Sequence, residues 1–161
     1  RAAGDVSDLP IRCNMVSIVT LRRVGQGVQT LLLRRTGPYL RGTWSYAAGH
    51  VEPGEAGWQT AIRELREETG LTAEELYATS FCEQFYLPGE DCIMLVPAFV
   101  AWIDDQQAVT LDAEHDAHRW LDFDEALDAL PFGSQRDLYT HVRREFIQRT
   151  PSPALRIKLD L

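Results

Sequence analysis

GHVEPGEAGWQTAIRELREETGL, residues 49–71, decides the reading of this 161-residue chain. From Ala56 to Thr69 the pattern is helical: Trp58, Ala61, Ile62, Leu65 and Thr69 recur at three- and four-residue spacing and form one inward stripe. Gly70 offers the left-handed backbone that ends a helix. Glu64, Glu67 and Glu68 stand at i, i+3 and i+4, so their carboxylates converge on a face adjoining that stripe. Like charges at this spacing cost helix stability, so the cluster means either full solvation or a bound cation. A wet, Glu-rich face is the commoner cause of such a run. The flanks favour the cation. Pro53-Gly54 makes a tight turn into the helix, and Glu55 lies where the helix dipole favours an acid. Arg63 is placed to pair with Glu55 and tie the turn to the helix, and Gly49 lets the preceding backbone come close.

Outward from this helix the pattern becomes that of strands. Upstream, residues 11–23 and 28–35 are rich in β-branched and apolar residues and flank the turn VGQG, which predicts a hairpin. TGPYLRGT (36–43) reads as loop, and WSYAAGHV (44–51) as a short strand entering the turn. Downstream, 76–87 and 91–103 read as a second hairpin, with Pro97 at an edge or bulge. HRWLDF (118–123) reads as a further strand, FDEALDAL as a short helix before Pro131, and 134–149 as a longer helix. Residues 1–10 read as a loose arm, and the tail from Thr150 as a surface segment. Without repeats or linkers, 1–161 reads as a single α/β domain, a mixed β-sheet with helices on both faces.

Composition narrows the function. A net charge of −8 argues against a broad nucleic-acid footprint, so no nucleic acid polymer is expected as partner. A small anionic substrate remains compatible when a divalent cation brings the two negative partners together. Cys13, Cys82 and Cys92 lack any CxxC spacing and read as buried strand residues in a reducing compartment. No stretch is long and apolar enough for a bilayer, which sets cytoplasmic as the expected location and no membrane as partner.

The stretch 49–71 resembles the Nudix box without a mismatch: Gly, five residues, Glu, seven residues, Arg-Glu-aliphatic, one residue, Glu-Glu, one residue, Gly-aliphatic. Chance filling of these positions has odds of roughly 10⁻⁷ from average residue usage, which outweighs the wet-helix reading. The resemblance implies the Nudix-type α/β/α sandwich and a metal-dependent pyrophosphohydrolase. It implies Glu67 and Glu68 as principal metal carboxylates, Glu64 as a third ligand or the general base, and the carbonyl of Gly49 as a backbone ligand. Arg63 and Glu55 match the supporting ion pair, and Gly70 the box's last glycine. Outside the box, Glu114 matches a later acidic residue near the metals, as ligand or general base, and Arg35 resembles a substrate-phosphate arginine of MutT-like members.

Carboxylate oxygens are hard ligands suited to Mg²⁺ or Mn²⁺. The expected reaction is water attack on a P–O–P linkage. GTWSYAAGHVEPGE, EHDAHRWLDFDEAL and SQRDLYTHV together look most like the dATP pyrophosphohydrolase or dihydroneopterin triphosphate pyrophosphatase group. That resemblance implies a nucleoside triphosphate or pterin analogue, released as monophosphate plus pyrophosphate. The alternatives are hydrolysis of ADP-ribose or dinucleoside polyphosphates, or a non-catalytic nucleotide-sensing module. The family's habits imply a monomer or homodimer. Of the histidines, His50, His118 and His141 read as bystanders, and His115 is the one candidate to take part.

Overall fold

The computed structural model describes residues 4–159. Among the described residues nine strands are joined in one mixed sheet. β1 (Ile11–Arg12), β2 (Met15–Val24), β3 (Gly27–Arg35), β4 (Trp44–Ser45) and β5 (Ala47–His50) precede the helix α1 (Gly57–Thr69). After it come β6 (Glu75–Leu87), β7 (Cys92–Ile103), β8 (His115–Leu121), α2 (Phe123–Ala129) and α3 (Gly133–Val142), then β9 (Arg156–Ile157). The spine of the sheet runs β4-β3-β2-β7-β6-β9, with β1 on β7, β5 on β2 and β8 on β3. β2 and β7 pair in parallel, whereas both hairpins are antiparallel. The expected mixed sheet is the observed one.

Apolar alternation along β2 and β7 feeds two cores. Val16, Ile18, Phe99 and Ala101 meet Ala61 and Leu65 of α1 on one face. Val19, Leu21, Val100 and Trp102 meet Leu138, Tyr139 and Val142 of α3 on the other. The helices therefore cover opposite faces, as in a sandwich. α3 continues through a π-helical turn, Arg143–Ile147, that seats Phe146 edge-on to Tyr77 at 5.6 Å between ring centroids.

Three details correct the sequence reading. The strand expected over 11–23 is broken at Cys13-Asn14, because β1 ends opposite Met94 and β2 joins β7 only at Ala98. Pro97 lies in that gap, has no N–H for the ladder, and faces a register shift in β6 between Ala78 and Cys82. The tail is more than a surface segment: β9 pairs with Leu76 and Tyr77 of β6, and Ile157 and Leu159 pack on the α1-side core. Of the cysteines only Cys92 is buried, whereas Cys13 and Cys82, beside the break and the shift, are exposed. The N-terminal arm reads differently along its length. Residues 1–3 lie outside the described residues, residues 4–9 are exposed without regular structure, and the Pro10 carbonyl accepts from Ile93 N at 2.9 Å.

Candidate active site

Helix α1 begins after Ala56, whose N–H donates to Gln59 Oε1 at 2.8 Å. It ends at Gly70, which has φ 73° and an N–H donating to the Arg66 carbonyl at 2.8 Å. Gly70 is therefore the left-handed stop that the sequence predicts.

Arg63 organises the turn before the helix. Its Nε donates to Glu55 Oε2 at 2.8 Å and its Nη2 to Glu55 Oε1 at 3.0 Å, a two-pronged pair. Nη2 also donates to the His50 carbonyl at 2.9 Å, which ties β5 to the helix. Glu55 accepts from Thr60 Oγ1 at 2.6 Å as well. The Arg63 bonds, followed by that of Thr60, hold the Glu55 carboxyl down at about 2. Arg63 reaches further than the sequence predicts: Nη1 donates to Glu64 at 2.8 Å and to Glu67 at 3.2 Å.

The three glutamates do not share one solvated face. Glu67 is 56% exposed, Glu64 only 13%, and Glu68 is buried at 5%. The reason is helical geometry. Glu68 follows Ala61 and Leu65 at i+7 and i+3, so it falls on the inward stripe itself. Its Oε2 accepts from the N–H of Ala48, on β5. Burial first, then repulsion from Glu64, pushes the Glu68 carboxyl up to about 9, with Asp112 and Glu114 adding to the rise. Glu64 is raised by burial too, against the pull of Arg63 and with a push from Glu67 and Glu114. A side chain on Gly49 would overlap the Glu64 carboxyl group, so that glycine makes the room in which this carboxylate lies.

The loop before β8 closes the cluster. Thr110 N donates to the Thr69 carbonyl at 2.8 Å, at the helix C-terminus. Ligand atoms of Glu68, Asp112 and His115 then lie within 4.8 Å of one another, a spacing that could hold a metal ion. His115 Nδ1 is 2.8 Å from Asp112 Oδ1, and the ring is buried. Glu114 is exposed beside them, near enough to act on Glu64 and Glu68. Asp112 is the residue that sequence reasoning missed. It belongs to no spaced motif, and only the return of the loop onto α1 brings it in. Arg35 lies at the end of β3, beside His115 in the ladder, with Nε donating to the Tyr39 carbonyl at 3.3 Å. His50 and His118 are exposed and His141 lies on α3, away from the cluster.

The residues fit a divalent cation on their own chemistry. Three carboxylates, two of them raised by burial and by neighbouring acids, gather beside a glycine whose missing side chain leaves one of them space. Oxygen donors of this kind suit a hard divalent ion.

A family model, the NUDIX domain, matches residues 12–148. The chain belongs to the Nudix family. It is 29% identical over 122 residues to a bis(5′-nucleosyl)-tetraphosphatase [asymmetrical] of Caenorhabditis elegans, covering 75% of this chain and 87% of that protein. An octanoyltransferase of Myxococcus xanthus is 35% identical over 133 residues. The match covers 81% of this chain but only 36% of the Myxococcus protein. Among solved structures, a C. elegans Ap4A hydrolase binary complex superposes with a TM-score of 0.71 at 25% identity, over 83% of this chain and 97% of that one. The family match and these relatives support a hydrolase acting on acid anhydrides. Among the described residues no helix is long and apolar enough to cross a membrane.

Proposed function

We propose that this Nudix domain cleaves a phosphoanhydride of a dinucleoside polyphosphate, a dinucleoside tetraphosphate first. The observation that carries the chemistry is the buried Glu68 carboxylate, pushed up to about 9 among Glu64, Asp112 and Glu114. A group so placed favours a proton or a cation over its bare charge. The substrate class is supported by the tetraphosphatase relative and the Ap4A hydrolase neighbour. It replaces the triphosphate that the sequence favours as first choice.

Glu64, Glu67, Glu68 and the Gly49 carbonyl would hold Mg²⁺ or Mn²⁺, with Glu114 and Asp112 as further oxygen donors. When bound, the ion supplies charge neutralisation for the phosphates and acidifies a water. The chain's own residues do the rest. Arg63, locked on Glu55, holds the turn and the helix in one register and orients Glu64. Glu64 or Glu114 takes the proton of the attacking water on a carboxylate oxygen. The Asp112–His115 pair fixes the loop against Glu68. Arg35 faces the substrate phosphates. Glu64, Glu67 and Glu68 are all present, which speaks against a module that only senses nucleotides.

The test is a product-resolved assay with Mg²⁺ across dinucleoside tetraphosphates, nucleoside triphosphates and ADP-ribose. We expect the tetraphosphate to give the highest kcat/KM. A triphosphate clearly ahead would return the assignment to the pyrophosphohydrolase that the sequence favours. Running the reaction in ¹⁸O-water locates the attacked phosphorus.

A further inference from the structure

The end of β3 and the loop after it form an open pocket of about 460 Å³, lined by Arg34, Arg35, Thr36, Arg41, Gly42 and Asp116. Three arginines on one rim stand out on a chain of net charge −8. Arg34 is already neutralised, its Nε donating to Asp116 Oδ1 at 2.7 Å. Arg35 and Arg41 have no carboxylate within 4.0 Å among the described residues. Their guanidinium groups donate only to backbone carbonyls, Arg35 to Tyr39 at 3.3 Å and Arg41 to Thr36 at 3.0 Å. Four of the five N–H donors on each fork are left for something else.

The loop that carries Arg41 is fixed in place. Arg35 N donates to the Thr43 carbonyl at 3.0 Å, and Gly42 N donates back to the Arg35 carbonyl at 2.9 Å. Thr43 Oγ1 donates to the Leu40 carbonyl at 2.6 Å. Leu40 itself is left-handed, at φ 54°. A leucine keeps that backbone only where its surroundings impose it. The ordering cost of presenting Arg41 is therefore met by the fold rather than by a ligand.

The pocket also shares a wall with the carboxylate cluster. Thr36 N donates to the Glu114 carbonyl at 2.9 Å, and Thr36 Oγ1 to the Ala113 carbonyl at 3.0 Å. Arg35 is the ladder neighbour of His115, one strand spacing of about 4.8 Å away. A phosphate chain lying on the carboxylate side needs only to run past Thr36 to reach the two free forks.

We propose that Arg41, acting with Arg35, grips the phosphates farthest from the cleaved linkage, so that the site selects long polyphosphate chains over a simple diphosphate. This rests on the phosphoanhydride reading above. A guanidinium fork matches two phosphate oxygens at once, which an ammonium does not. A diphosphate such as that of ADP-ribose is occupied at the carboxylate side and leaves Arg41 unfilled. A tetraphosphate fills both ends.

The experiment compares wild type with Arg41→Ala, Arg41→Gln and Arg41→Lys, on a dinucleoside tetraphosphate and on ADP-ribose, with Mg²⁺. Removal of the fork should cut kcat/KM for the tetraphosphate roughly tenfold or more, mainly through KM. The loss on ADP-ribose should be several-fold smaller, and the Lys variant should fall in between. Thermal melts identify any variant that misfolds. Equal losses on both substrates, or none on the tetraphosphate, overturn the proposal. If wild type cleaves neither substrate, the functional reading falls by itself. The pocket is then judged by calorimetry with inorganic tripolyphosphate. Binding weakened roughly tenfold in Arg41→Gln supports it, and unchanged binding overturns it.

Discussion

Each face of the sheet buries one glutamate, and the two are finished differently. On the α3 side, Glu83 is 5% exposed and accepts from two hydroxyls, Tyr46 Oη and Ser134 Oγ, the latter at 2.9 Å. Next to it Thr30 and Tyr139 share a hydrogen bond of 2.9 Å, and Tyr46 stacks on Tyr139. On the α1 side, Glu68 is equally buried. It accepts one bond, from a backbone N–H, and faces other carboxylates. The first arrangement is complete within the protein and stabilises it. The second keeps a single hydrogen bond among other carboxylates, and the proposed metal site rests on that arrangement.

The sharpest way to break this contrast is to neutralise each glutamate. Glu68→Gln or Glu67→Gln should lower kcat by roughly two to four powers of ten, the scale of a lost catalytic group, in a steady-state assay with Mg²⁺. Glu68→Gln should melt no lower than wild type in EDTA, because the neutral amide needs no proton taken up from solution to stay buried. A Glu68→Gln enzyme that keeps its activity would erase the distinction between the faces.

Glu83→Ala should behave in the opposite way. It strands the hydroxyls of Tyr46 and Ser134 and opens a cavity, at a cost of about 2–4 kcal/mol in denaturant unfolding. Its kcat should fall less than tenfold once folded protein is counted.

The pH dependence separates the faces without mutation. Between its ordinary value near 4.5 and about 9, Glu68 binds a proton in the folded state that the unfolded chain has released. Stability in EDTA should therefore fall as pH rises through that window, and Mg²⁺ should restore it. Glu55 has the reverse sign. Its carboxyl sits at about 2, so its contribution is present above the ordinary range and lost as acid drives it through that value. Urea midpoints from pH 4 to 9, with and without Mg²⁺, measure the first trend, and Glu68→Gln should flatten it.

The smallest effect expected is from Thr30→Val, which removes the bond to Tyr139 while keeping shape. It should cost about 1 kcal/mol and leave kcat unaltered, which confirms that the α3 side works as scaffold.

Residue patterns alone specify the helix over 56–69, its left-handed stop at Gly70, the Glu55–Arg63 pair and both hairpins. Each is a local matter, in which helical or strand periodicity and turn chemistry act within a few residues. The patterns also expose the acids of α1, though not that Glu68 turns inward among Ala61 and Leu65. Which residues join the carboxylate cluster depends on segments that meet only once the chain is folded. Asp112 and His115 reach Glu68 where Thr110 bonds to the end of α1, and Arg41 lines the pocket beside the left-handed Leu40. β9 and the break opposite Pro97 belong with these. Two-residue strands and loop returns gain their stability from partners far along the chain, so no window of sequence contains the forces that fix them.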